Sequence, residues 1–226
     1  MSSEICLQSA FQKAGRDFGY SSVKAEFTPF KEFKVRWQRS AGWAEFQVSD
    51  YLMDADEMMM EGLARVLFNR ISKGKRSNYP DELREWMTSQ DFVRKKQPVY
   101  LRRSRNLSRS GQGRHYDLQD SYERLIAAGL VERDDEAFLS WTSRPNLRRV
   151  GYCSVLMKVI AVSSALDDEV VPEFVTEYVL YHELLHLANG LSLDGQAHGE
   201  DFRRCERLHP RWNEAEEWLK RLSLKL

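Results

Sequence analysis

The stretch from Pro172 to Gly190, "PEFVTEYVLYHELLHLANG", constrains this chain more than any other. Proline fits the first turn of a helix, and Asn189-Gly190 fits its end. Between them Phe174, Val175, Tyr178, Val179, Tyr181, Leu184, Leu185 and Leu187 cover most of the circumference. A helix apolar nearly all round is a buried helix, so the fold has to be built about it. His182, Glu183 and His186 nevertheless sit inside that apolar surround. Buried polar groups without partners are costly, and a metal ion would satisfy all three.

The three residues spell H-E-x-x-H. Positions four apart share one helix face, so two imidazoles there can reach one ion, and neutral imidazole binds zinc at about 2.0–2.1 Å. Glu183 falls beside them as a general base for zinc-activated water, whose pKa the ion lowers to about 7 while it polarises a carbonyl. With five histidines and twenty glutamates in the chain, a shuffled sequence contains the motif with a probability of roughly one in a hundred. Zn2+ ligated by His182 and His186 is therefore the expectation, against a chance occurrence on an ordinary helix.

A catalytic zinc takes three protein ligands and keeps one position open. The longer pattern H-E-x-x-H-x-x-G-x-x-H fails, because Asn189 and Ser192 stand where glycine and histidine belong. The next histidine, His198 in "DGQAHGEDF", opens another expected helix after the connection "GLSLDGQA", which is long enough to turn the chain back. His198 is the expected third ligand and Glu200 its rival. His115 reads as exposed, and His209, before Pro210, as a helix-end residue. Tyr181 and His209 are the candidates for a group that assists the tetrahedral intermediate. Cys153 fits a strand and Cys205 a core position.

The rest of the chain frames this helix. Residues 1–20 read as a polar, weakly structured lead, and 21–91 as a hairpin and helical segment. In the latter, alternating runs at 34–39 and 43–48 flank "SAG", and a helix follows with Met58, Leu63, Val66, Leu67 and Ile71 on one stripe. A second, weaker helix is expected over about 81–96. Residues 92–116 hold eight lysines and arginines and no acid, punctuated by serine, glycine and proline. Residues 92–115 thus read as an exposed, mobile basic connector. From 116 to 226 the pattern becomes compact again: a helix capped by Asp117 and ending near Gly129, short β-rich runs at "AFLSWTS", "RRVGYCSV" and "KVIAVSS", and then the histidine-bearing helix. No internal repeat is apparent.

Composition excludes little. Lysine plus arginine and aspartate plus glutamate both number 34, so net charge implies no partner. No apolar run suits a signal peptide or a membrane span, and three scattered cysteines suit a reducing cytoplasm.

"HELLH", an eleven-residue gap, and "HGEDF" together resemble the SprT-like and YgjP-like zinc metallopeptidases, in which a histidine after H-E-x-x-H leads into x-x-x-Phe or Trp. The likeness runs back through "DLQDSYERLIAAGL", "LSWTS" and "RRVGYCSVLMKVIAVSSALDD", over about residues 115–226, and the 23–72 segment resembles the leader of prokaryotic members. The resemblance implies an α+β zincin fold with a small sheet and an active-site helix, preceded by the hairpin and helix segment. It implies zinc on His182, His186 and His198, Glu183 as general base, and a protein or peptide substrate. DNA-associated members cleave proteins crosslinked to DNA; this sequence lacks their cysteine-rich zinc ribbon, which leaves DNA an open partner. A strand of the 148–163 hairpin is expected to pair with extended substrate. Two other classes stay in play. One is a nucleic-acid-binding module with a structural zinc, for which Arg102, Arg103 and Arg105 would contact phosphate; the other is an inactive scaffold, against which the intact Glu183 argues. Substrate and oligomeric state are left open.

Overall fold

A computed structural model describes residues 3–74, 78–191 and 198–224. Its contacts divide the chain into two units, residues 1–92 and 93–226. Among the described residues there are eight α-helices and two three-stranded sheets, a mixed α+β architecture. No helix among them is long and apolar enough to cross a membrane.

The first unit starts with α1 (Ser3–Asp17), in place of the expected weakly structured lead. Leu7, Ala10, Phe11 and Ala14 recur at i, i+3, i+4 and i+7 and are all buried. Four apolar positions among polar ones suffice for a helix when they fall on one stripe. Strand β1 (Ser22–Thr28) pairs in parallel with β3 (Trp43–Ser49), and β2 (Val35–Ser40) pairs antiparallel with β3, so the 34–48 hairpin forms as expected with a further strand beside it. The side chain of Gln8 covers the edge of β1. Its amide donates to the Val23 carbonyl at 2.8 Å and its oxygen accepts from the Ala25 N–H at 2.8 Å, which removes backbone groups that an exposed edge would offer to other strands. After a 3-10 turn at Asp50–Leu52 comes α2 (Glu57–Lys73), N-capped by Asp56, whose carboxylate accepts from the Met59 N–H at 2.8 Å. Its buried stripe is Met60, Leu63, Ala64, Leu67, Phe68 and Ile71. Met58 is 66% exposed, so the expected stripe was two residues out of phase at its start. The helix expected over 81–96 is two, α3 (Asp81–Thr88) and α4 (Gln90–Arg103), separated at Ser89. The Ser89 hydroxyl accepts from the Phe92 N–H and donates to the Trp86 carbonyl.

The reading of 92–115 as an exposed, mobile connector is overturned. Phe92, Val93, Tyr100, Ser104 and Leu107 are buried. The Gln97 amide donates to the carbonyls of Glu136 and Met157 at 2.8 and 2.9 Å. Beyond α4, Leu107 bridges to Thr142, and the Trp141 indole donates to the Gly111 carbonyl. Asp167 then accepts three backbone N–H bonds, from Arg114, His115 and Tyr116, at 2.5, 2.9 and 3.1 Å. Gly113 lies so close that a Cβ would come within 2.6 Å of the same carboxylate. Arginines dominate the composition of this segment, but its sparse apolar residues and its backbone hold it down.

In the second unit α5 (Leu118–Ala127) is capped by Asp117 as expected. Strand β6 (Val159–Val162) is fully buried at the centre of a sheet, parallel to β4 (Phe138–Trp141) and antiparallel to β5 (Gly151–Ser154). A 3-10 turn at Ser164–Leu166 leads into α6 (Glu173–Asn189). Helix α6 packs against α5, β5, β6, α7 (Glu200–Glu206) and α8 (Trp212–Ser223). That surround explains why its apolar residues cover nearly every side. Gly190 closes α6 with φ of 67°, a left-handed value that favours glycine. From Ser192 on, the expected "GLSLDGQA" connection lies outside the described residues.

Candidate metal centre

Helix α6 carries His182 and His186 one turn apart, and the residues ahead of α7 bring His198 to them. The His182 Nε2 lies 3.2 Å from the His186 Nε2 and 3.3 Å from the His198 Nε2. One ring nitrogen from each of the three falls within 4.8 Å of the others. An ion at 2.0–2.1 Å from tetrahedrally arranged nitrogens sets them about 3.3 Å apart, so this donor set fits such a metal. Glu200, exposed at the first position of α7, is not part of the group.

Phe202, two residues into α7 and 3% exposed, supports all three imidazoles. It stacks on His186 at 4.6 Å between centroids and meets His182 and His198 edge-on at 5.2 and 4.9 Å. Burial, with the neighbouring His182 and His198, pushes His186 down to about 4, and burial and His182 also lower His198. Both rings are thus held neutral, as metal ligation requires. For His182 burial acts downward too, but the hydrogen bond with Glu206 and the Glu183 charge outweigh it and raise the ring.

Glu183 lies against β5. It is 6% exposed, and burial pushes its carboxyl up to about 7 against the opposing pull of His182 and Arg149. The fit to β5 is close at Gly151, where a Cβ would stand 2.6 Å from the Glu183 Oε1 and 2.9 Å from the Val179 Cγ1. A glycine interrupting a strand pattern signals close approach of another group, and that signal was present in "RRVGYCSV". It could not say which group approaches.

Residues 138–222 match the family model of the YgjP-like metallopeptidase domain. The YgjP-like match runs from β4 into α8 and contains every residue of the centre just described. It agrees with the resemblance seen in the sequence and supports a metallopeptidase function. Residues 21–91 and α5 lie outside it. No curated protein and no solved structure matches the chain.

Other sequence candidates fall elsewhere. The Tyr181 hydroxyl donates to the Cys205 carbonyl at 2.6 Å, and Tyr181 is fully buried. His209 is 2% exposed, packed against the rings of Tyr178 and Tyr181 and 3.7 Å from Glu177. Both are built into the core. His115 is exposed as expected. All three cysteines are free thiols, and burial raises that of Cys153.

Proposed function

We propose that the protein is a zinc-dependent metallopeptidase of the zincin type, with His182, His186 and His198 as ligands and Glu183 as general base. The observation that carries this reading is the convergence of three imidazole nitrogens, two of them on the helix that also carries the buried Glu183 carboxylate. Imidazole donors in a tetrahedral arrangement favour zinc. A zinc held there supplies an acidified water and polarises the scissile carbonyl. The Glu183 carboxylate takes the proton of the attacking water and passes it to the leaving nitrogen of the peptide. Strand β5 is an edge of its sheet and lies against Glu183, which supports its pairing with an extended substrate backbone. The free thiols suit a reducing, cytoplasmic setting.

The test is Glu183→Gln, which keeps the shape and removes the base. Hydrolysis of an unfolded protein substrate should fall at least about a hundredfold with zinc retained. Undiminished hydrolysis would sink the mechanism.

One structural observation favours DNA as a further partner. Residues 92–116 and 137–166 both lack acids, and the fold joins them: the Ser143 N–H and the Arg144 N–H donate to the Asn106 carbonyl and side chain, each at 3.1 Å. Exposed Arg102, Arg105, Arg109, Arg144 and Arg148 thereby belong to one basic region. Retention on single-stranded DNA should fall steeply with salt and weaken on changing Arg102, Arg103 and Arg105 together to alanine. A chain that is not retained at low salt has no such partner.

A further inference from the structure

His182 has both ring nitrogens engaged. Its Nε2 faces the other two imidazoles, and its Nδ1 lies 2.6 Å from the Glu206 Oε1. An ionised carboxylate only accepts, so the proton of this bond belongs to Nδ1. The Nε2 is then left with its lone pair directed at the point where the three rings converge. Glu206 is the last residue of α7, and its side chain is 20% exposed, in a crevice rather than in bulk water. The Tyr178 hydroxyl, one turn before His182 on α6, donates to the Glu216 Oε1 on α8 at 2.9 Å.

We infer that Glu206 is the positioning residue of the metal centre: it fixes the tautomer and ring plane of His182. The inference rests on the metal reading above and assigns a role to a residue outside the ligand set. Glu206 meets His182 on the nitrogen facing away from the convergence point, so it acts through the ring and not on the ion. The His182–Glu206 bond ties α6 to α7, and one turn away the Tyr178–Glu216 bond ties α6 to α8. A ligand whose other nitrogen is anchored in this way binds with its orientation already set, and losing such an anchor costs about 10–100-fold in metal affinity.

The experiment compares zinc affinity, by competition with a chromophoric chelator, in the full chain and in Glu206→Ala, Glu206→Gln and Glu216→Gln. Nitrogen NMR of His182 in the metal-free chain reports its tautomer independently of activity. Glu206→Ala should bind one zinc about 10–100-fold more weakly. Glu206→Gln keeps the shape and an acceptor oxygen, so it should fold as the parent does and lose less. Glu216→Gln, which touches Tyr178 and not His182, should stay near the parent, and His182 should carry its proton on Nδ1. Unchanged affinity in folded Glu206→Ala and Glu206→Gln, or a His182 protonated on Nε2, overturns the inference while leaving the metal centre standing. A parent chain that takes up no zinc removes the metal reading and this role with it.

Discussion

Residues 3–73 and 118–189 follow the same path. Each runs through a helix, three strands paired in the order first, third, second, a 3-10 turn and a 17-residue helix. In each sheet the first strand is parallel to the third and the second antiparallel to it. Counted from the helix start, Val66, Leu67 and Arg70 of α2 stand where His182, Glu183 and His186 stand in α6. Leu67 is 2% exposed and Glu183 is 6% exposed. One path therefore buries an apolar group in the first unit and a carboxylate at the matching place in the second. The path provides a long helix laid on a sheet; the chemistry depends on which side chains occupy the middle of that helix. The second unit also continues through His198 into α7, which adds Phe202 and Glu206.

If the comparison is right, substitutions at matching places should have effects of different kinds. The largest expected is at Leu67. Leu67→Ala should cost about 2–5 kcal/mol of stability, read by thermal or denaturant unfolding, with the zinc stoichiometry of the folded protein unchanged. Loss of zinc in a folded Leu67→Ala chain would break the separation of roles between the two units. Next is Gly151→Ala. Its new Cβ would collide with the Glu183 carboxylate, so hydrolysis should fall about ten- to a hundredfold, equivalent to roughly 1.4–2.7 kcal/mol of barrier, while zinc stays bound. An unchanged rate would show that Glu183 does not depend on this close approach.

The smallest effect expected is at Asp167. Burial acts to raise this carboxyl, but the three backbone N–H bonds from Arg114, His115 and Tyr116 outweigh it and hold it below the usual range. A group depressed in the folded state stabilises above its unfolded pKa of about 3.9, and that contribution is lost as pH falls through the folded value. Asp167→Ala should cost about 1–2 kcal/mol near neutral pH, and the gap from the parent should shrink below about pH 4. A gap that widens in acid would mean that Asp167 is not the anchor of the 113–116 turn.

What could be read from the sequence was local. The 3.6-residue periodicity of α2 and α5 is visible in any short window, and so are the all-round apolar character of α6 and the i, i+4 spacing of His182 and His186. The hairpin at 34–48 carries its own turn. By contrast, β1 pairs in parallel with a strand some twenty residues on, and no nearby turn announces it. Helix α1 was obscured by polar residues on its outer face, and α4 by its charge and by Pro98. The repeated path left no sequence trace, because Val66 and Leu67 against His182 and Glu183 preserve burial and not residue type. Glu206 and Gly151 join the site only through packing of α6 on α7 and on β5, which no spacing rule contains.

The central claim is that three histidines of the second unit hold one metal ion beside a carboxylate that is not a ligand. Elemental analysis of the purified chain after dialysis tests it most directly. The account predicts about one zinc per chain in the parent and in Glu183→Gln. It predicts far less in His182→Ala, His186→Ala and His198→Ala, and an unchanged content in Glu200→Ala. A folded parent chain without metal, or full zinc retained when all three histidines are replaced, would contradict it.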